Sequence, residues 1–215
     1  MGIKAVIFDL DGVIVSTDRY HYLAWKKLTD RLGIYFDEQI NMSLRGVSRM
    51  ESLEIILSNT DRTYSDDQKK EFAEEKNKIY RRSLNELSKS DILPGVIGLL
   101  DELDERGIRK AIGSSSRNTK TILDKIGLID RFDVIVDGTM IRNSKPDPEV
   151  FSKAVKMLGY DPEECLVIED AVAGIIAGHN AGCKTYAVGD ANNCELSDTG
   201  SEDLSDVNVD KLVNI

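Results

Sequence analysis

The chain has 215 residues, 41% of them hydrophobic and 31% charged, a makeup that suits one sizeable core or a main domain with a small satellite and argues against general disorder. Its 28 Lys and Arg against 38 Asp and Glu leave a formal charge of −10, a sign that opposes broad attraction to nucleic acid or anionic membrane while still allowing a small anion to be held by local cations or a metal. No run approaches the roughly 18 apolar residues of a membrane span. The cysteines at 165, 183 and 194 lack CxxC spacing, so neither a disulfide framework nor a thiolate zinc site is expected, and cytoplasm is the default location.

The first predicted element, residues 4–8, is a short apolar strand that stops at Asp9, Leu10, Asp11 and Gly12. Gly12 favours a turn that lets the two carboxylates converge at the strand's carboxyl end. Two such groups repel unless they share a proton or a cation. A turn of hydrogen-bonded aspartates and a metal or acid–base site both satisfy this pattern.

Residues 17–88 read as mostly helical. Tyr22, Trp25, Leu28 and Leu32 recur at helical spacing before Gly33, Leu53, Ile56 and Leu57 give a second apolar face, and a third helix is expected over 66–87. This insertion leaves the chain just after the aspartates, so it either completes the core or caps a site at the strand end.

Beyond it, predicted helices (96–106, 118–126, 148–158, 171–181) alternate with strands (110–113, 134–136, 165–168, 184–188), the pattern of a parallel sheet covered on both faces. Residues 192–206, acidic and serine-rich, read as an extended surface connection.

Three later stations bear on the aspartates. Glu169 and Asp170 end another apolar strand, which a parallel sheet can set beside Asp9; oxygen ligands of this kind suit Mg²⁺. "IGSSSRN" at 112–118 offers Ser114, Ser116 and backbone donors near a helix start. Lys145, in "NSKPDPEVF", stands before a proline-containing helix entrance and supplies a compact cation. Alone, the serines suit helix capping and the lysine a surface charge; together with both acidic strand ends they favour phosphate.

With "DLDGV", Ser114, Lys145 in "KPDP" and the Glu169–Asp170 pair in order along the chain, the sequence resembles the haloacid dehalogenase superfamily of phosphotransferases. The resemblance implies an α/β fold, a Rossmann-like parallel-sheet core (1–16 and 89–215) with a helical cap (17–88) inserted after the first strand. It assigns Asp9 as nucleophile, Asp11 as proton donor and acceptor, and Ser114 and Lys145 as ligands of the transferring phosphoryl group. Mg²⁺ would be held by Asp9, the Asp11 backbone carbonyl and Asp170, with Glu169 in direct or supporting contact.

In the insertion the resemblance narrows to the β-phosphoglucomutase group. Thr17, His21 and Trp25 lie in "STDRYHYLAW", Arg45, Gly46 and Arg49 in "LRGVSR", Lys76 with Asn77 in "EEKNKIY", and Ser116, Arg117 and Asn118 in the serine loop. It implies a phosphorylated hexose as substrate, with these residues shaping its pocket and Arg49 holding the phosphate that is not transferred. The implied reaction interconverts β-D-glucose 1-phosphate and glucose 6-phosphate, with β-D-glucose 1,6-bisphosphate as intermediate and activator. A sugar-phosphate phosphatase using the same Asp9 intermediate is the alternative. Arg45 and Arg117 stand where the related pattern often has lysine, which keeps the charge but alters donor geometry. A monomer is expected, because cap and core can enclose the substrate within one chain.

Overall fold

The computed structural model describes residues 2–44 and 47–215. Six strands form one parallel sheet: β1 (Ala5–Phe8), β2 (Arg109–Gly113), β3 (Val134–Val136), β4 (Cys165–Glu169), β5 (Lys184–Val188) and β6 (Thr199–Ser201), in the order β3-β2-β1-β4-β5-β6. Alternation along each strand feeds two separate apolar layers. Val6, Phe8, Ile112, Leu166, Ile168, Tyr186 and Val188 enter one; Ala5, Ile7, Ala111, Val134, Val136, Cys165 and Val167 enter the other. Both faces are therefore covered, as a parallel sheet requires. On the first face lie α5 (Val96–Glu105), α6 (Thr119–Ile126) and α9 (Val209–Leu212), and on the second α7 (Glu149–Leu158) and α8 (Val172–Asn180).

β1 sits in the middle, between β2 and β4, and the strand order reverses there. Ligands of open α/β sheets bind at the carboxyl ends of strands flanking such a reversal. Asp9, Ser114 and Glu169–Asp170 follow or end these three strands.

Between β1 and α5 the chain forms α1 (Asp18–Leu32), α2 (Glu38–Met42), α3 (Arg49–Leu57) and α4 (Asp66–Ser83). They share a cluster of their own around Trp25, Leu28, Phe36, Leu53, Ile56 and Phe72. Capping boxes fix the starts of α3 (Ser48 with Glu51) and α4 (Ser65 with Gln68). The segments entering and leaving this insertion run side by side: Val15 pairs with Ile92, and the Leu93 N–H donates to the Ile14 carbonyl at 3.0 Å.

Three expectations are corrected. The insertion has α2, whose N-cap Asp37 accepts from the Ile40 N–H at 2.9 Å, in addition to the three helices read from apolar spacing. The helix expected over 66–87 stops at Ser83 and passes into a short 3₁₀ turn. The stretch 192–206 is not wholly irregular, since it supplies the edge strand β6 and the buried Leu204. The three cysteines are free, Cys165 and Cys183 buried.

Candidate active site

Gly12 has φ +82, and a Cβ there would lie 1.9 Å from the Asp170 carboxylate. Only glycine both makes this turn and lets the β1 and β4 ends approach so closely. The loop it closes is held by the Gly12 N–H to the Val15 carbonyl at 2.9 Å and the Val15 N–H to the Leu10 carbonyl at 3.1 Å. The small residues of α8 act similarly: a Cβ at Gly174 would meet the Glu169 carboxylate at 1.9 Å.

Asp9, Glu169 and Asp170 each offer a carboxylate oxygen, all within 4.8 Å of one another. Lys145, 2% exposed, reaches into this group, donating to Asp9 Oδ1 at 2.5 Å and to Glu169 Oε1. Burial opposes the ammonium, but the charges of Asp9 and Glu169 outweigh it and hold Lys145 above the ordinary lysine range. Burial, followed by the charges of Glu169 and Asp9, pushes Asp170 up to about 8. Burial likewise pushes Glu169 up to about 7, against the charge of Lys145.

With all three acids ionised, three negative charges and one positive leave −2, the charge a divalent cation cancels. The donors are all oxygen, as a hard cation prefers. Glu169 has both oxygens engaged, by Lys145 and by the Ala171 N–H at 3.0 Å, which suits a supporting position. The Asp170 carboxylate accepts no hydrogen bond from the described residues. The Asp11 carboxylate is not part of this acid cluster.

Lys145 is presented by a clamped loop. Glu149, in the first turn of α7, accepts from the Arg142 N–H (2.8 Å), the Asn143 N–H (2.9 Å) and Lys153 Nζ (2.6 Å). These bonds, Lys153's first, lower its pKa to about 2. A surface charge is thus excluded for Lys145, and its helix entrance is rigidly tied.

Asp11 points toward the insertion. Its Oδ1 accepts from the Thr17 hydroxyl and the Thr17 N–H (3.2 Å), and the Tyr80 hydroxyl donates to Thr17 Oγ1 at 3.1 Å. Burial pushes Asp11 up to about 7, against the Thr17 hydrogen bond and with the charge of Asp9 adding. A carboxyl tuned there can both take and give a proton near neutrality. Thr17 precedes α1 without capping it; its side chain is spent on Asp11.

Lys76 is 2% exposed, not the solvated charge its Lys- and Glu-rich surroundings suggest. Its ammonium lies 2.9 Å from His21 Nδ1, 4.7 Å from the Trp25 ring centroid and 4.9 Å from that of Tyr80. Burial and then the charge of Arg49 push Lys76 well below the ordinary lysine range; burial and then Lys76 do the same to His21. The two groups thus share a hydrogen bond in a setting that disfavours the charged form of each. Trp25 is 1% exposed and belongs to the apolar cluster of the insertion while also lining the cleft.

A cavity of about 1270 Å³ spans these groups and is lined from both sides, by Asp9, Asp11, Lys145 and Asp170 of the sheet ends and by His21, Arg49 and Lys76 of the insertion. Ser114, Ser116, Arg117 and Asn118 also line it. Asn118 donates to Asn77 of α4 at 3.1 Å, which ties the serine loop to the insertion. Arg49, half-buried at the start of α3, is held below its ordinary range by burial and by the charge of Arg117. Two guanidiniums so placed ask for an anion. Arg45 and Gly46 lie outside the described residues.

The sequence reading missed Tyr80 and Ser115, both of which line the cavity. Tyr80 follows Lys76 by four residues on α4, so the same helical face signals it.

A family model for haloacid dehalogenase-like hydrolases matches residues 3–182. The chain belongs to this family. Over 211 residues it is 41% identical to a β-phosphoglucomutase of Bacillus subtilis, covering 97% of this chain and 93% of that one. A phosphorylated carbohydrates phosphatase of Thermotoga maritima is 31% identical over 182 residues, 83% of this chain and 82% of the relative. Among solved structures, a β-phosphoglucomutase from Clostridium difficile superposes with a TM-score of 0.92 at 39% identity, covering 98% of this chain and 95% of that one. The chain is thus an enzyme of phosphoryl transfer, with the α/β, Rossmann-like fold of its family. Among the described residues no helix is long and apolar enough to cross a membrane.

Proposed function

We propose that the protein is a β-phosphoglucomutase, interconverting β-D-glucose 1-phosphate and glucose 6-phosphate by way of β-D-glucose 1,6-bisphosphate. The carrying observation is that one cavity is lined by two unlike groups of cations, Lys145 hydrogen-bonded to Asp9 at the sheet ends, and Arg49 with Arg117 elsewhere on the wall. A substrate that must bind first one way round and then the other needs two. The likeness to the Bacillus subtilis and Clostridium difficile mutases agrees with this.

Residues 1–16 and 89–215 act as the catalytic core and 17–88 as its cap. Asp9 is the nucleophile: its carboxylate attacks the phosphorus while Lys145 and the Ser114 hydroxyl neutralise charge on the phosphoryl oxygens. Asp11 deprotonates the accepting sugar hydroxyl in one direction and protonates the leaving oxygen in the other. Asp9, Asp170 and the Asp11 carbonyl would hold Mg²⁺, with Glu169 fixing Lys145 beside it. When bound, the ion screens the negative charge shared by the acids and the phosphate. Arg49, with Arg117, Ser116 and Asn118, holds the phosphate that is not being transferred, while His21, Trp25, Lys76, Thr17 and the 45–46 segment shape the sugar pocket. Closure of the cap over the sugar keeps water from the Asp9 phosphate.

The test is incubation with β-D-glucose 1-phosphate, Mg²⁺ and a trace of β-D-glucose 1,6-bisphosphate, with glucose 6-phosphate and free phosphate quantified together. Glucose 6-phosphate with little free phosphate, lost in Asp9→Asn and on metal chelation, is expected. Stoichiometric phosphate release would instead make water the acceptor, the activity that the name of the Thermotoga relative carries.

A further inference from the structure

Ser115 Oγ is buried and has no hydrogen-bond partner, alone in this among the buried side-chain polar atoms of the described residues. The residue as a whole is only half-buried, so the stranding is of the hydroxyl and not of the side chain's whole surroundings. An orphaned hydroxyl is costly, and folded proteins rarely tolerate one without a use. The loop on either side of it is tied by hydrogen bonds. The Ser114 N–H donates to the Val136 carbonyl at 3.0 Å and the Ser116 N–H to Ser114 Oγ at 3.1 Å. The Asn118 N–H donates to Ser116 Oγ at 3.2 Å, and the Ser116 carbonyl accepts from the Gly138 N–H at 3.0 Å and from Thr119 Oγ1 at 2.8 Å.

The backbone is thereby pinned, and the hydroxyl's one freedom is rotation about its own Cα–Cβ bond. Serine has three staggered positions, interconverting within nanoseconds. Ser115 lines the cavity between Ser114 and Ser116. Because the residue borders the cavity, rotation about this bond is the movement that would carry Oγ toward a phosphate bound there.

We propose that Ser115 is a switching phosphate ligand: its hydroxyl is stranded without a partner in the free enzyme and turns into the cavity to donate to a phosphate oxygen when substrate binds. This rests on the phosphoryl-transfer reading above. It adds a residue whose unfavourable free state is relieved by the ligand, so binding gains both the new bond and the lost penalty. The consequence is a trade of stability against affinity at one atom. Removing the hydroxyl should make the empty protein more stable and the complex weaker. A residue that only packs the loop would move stability alone.

The experiment compares wild type with Ser115→Ala and Ser115→Thr, reading the thermal midpoint without ligand and the dissociation constant for inorganic phosphate with Mg²⁺ present. Ser115→Ala is expected to melt higher and to bind phosphate about tenfold more weakly, the loss typical of one hydrogen bond to a charged group. Ser115→Thr, which keeps the hydroxyl, should bind within about threefold of wild type. The KM for β-D-glucose 1-phosphate should follow the phosphate affinity. Unchanged phosphate affinity in Ser115→Ala, whatever its melting point, overturns the proposal while leaving the enzyme's function intact. Absence of phosphate binding by wild type would instead remove the functional reading, and this inference with it.

Discussion

Lys145 and Lys76 are both 2% exposed, both line the same cavity, and meet opposite fates. Lys145 stands between two carboxylates and is held above the ordinary lysine range. Lys76 faces a neutral imidazole and two aromatic rings, with Arg49 near, and is pushed well below it. Burial penalises both ammoniums; the partners decide the outcome. The core site therefore carries its own counter-charge before any substrate arrives. Among the described residues no carboxylate is hydrogen-bonded to Lys76, and on the proposed function an anionic substrate would supply that counter-charge. On the proposed function, this difference would let binding energy draw the insertion onto the substrate without weakening the core site.

The largest expected effect falls on the core. Asp9→Asn should lower turnover by roughly 10⁴-fold or more, as removal of a covalent nucleophile does, and should abolish a phosphoenzyme detectable by intact mass. Because the cap has a cluster of its own, substrate should still protect the variant against heat. Retained turnover within about tenfold of wild type would remove Asp9 from the chemistry and with it the meaning given to Lys145.

The two lysines can then be set against each other. Lys145→Met leaves Asp9 and Glu169 unpaired in a buried position and should destabilise the fold by about 3–5 kcal/mol in urea titrations, besides abolishing activity. Lys76→Met removes an unpaired buried charge, at the cost of its contacts with the Trp25 and Tyr80 rings. By relieving the cost of burying this amine it should leave stability equal or raise it by on the order of 1 kcal/mol, while kcat/KM falls by roughly 10–100-fold. Equal destabilisation by both variants would erase the distinction between a paired and an unpaired ammonium.

Alkaline pH sharpens the same contrast. Between the folded pKa of Lys76 and the unfolded value of about 10.4, the unfolded chain binds more protons at this site, so its contribution to stability rises with pH. The margin by which Lys76→Met exceeds wild type is thus full at low pH and closes as pH approaches about 10.4. For Lys145 the folded value lies above the unfolded one. Its stabilisation is complete below about pH 10.4 and is lost only as pH rises toward the folded value. Urea midpoints of the Lys76 pair measured from pH 7 to 10.5 should converge; a constant margin would show that Lys76 is not depressed.

How much of this was legible in the sequence varies from one residue to the next. Asp9, Lys145 and the Glu169–Asp170 pair announce themselves because apolar strands end on acids and a glycine or proline fixes the adjoining turn. β6 did not, because Thr199–Ser201 has no apolar alternation and becomes a strand only by pairing with β5. α2 is five residues long, too short for a periodic pattern, and rests on the Asp37 cap. Lys76 is placed in the pocket by resemblance alone, because its charged neighbours in sequence suit an exposed helix equally well and its burial depends on His21, Trp25 and Tyr80. Partners brought together by tertiary packing leave no local signal. The stranded Ser115 hydroxyl is the limiting case, since its meaning is the absence of a neighbour.

The smallest effect tests how the cap side reaches Asp11. Tyr80 of α4 donates to Thr17, which donates to Asp11, so α4 reaches Asp11 through one intermediate hydroxyl. Tyr80→Phe deletes the outer bond without changing the ring that packs on His21, at a centroid distance of 4.2 Å. A lost neutral hydrogen bond of about 1 kcal/mol would lower kcat about fivefold. Thr17→Val removes both bonds and should cost more. If Tyr80 acts through Thr17, the double variant should be no worse than Thr17→Val alone, because the outer bond has nothing left to hold. Losses that multiply instead would mean that Tyr80 reaches the reaction by another route, such as the Lys76 ammonium above its ring, and the two regions would be joined through charge and not through the hydroxyl of Thr17.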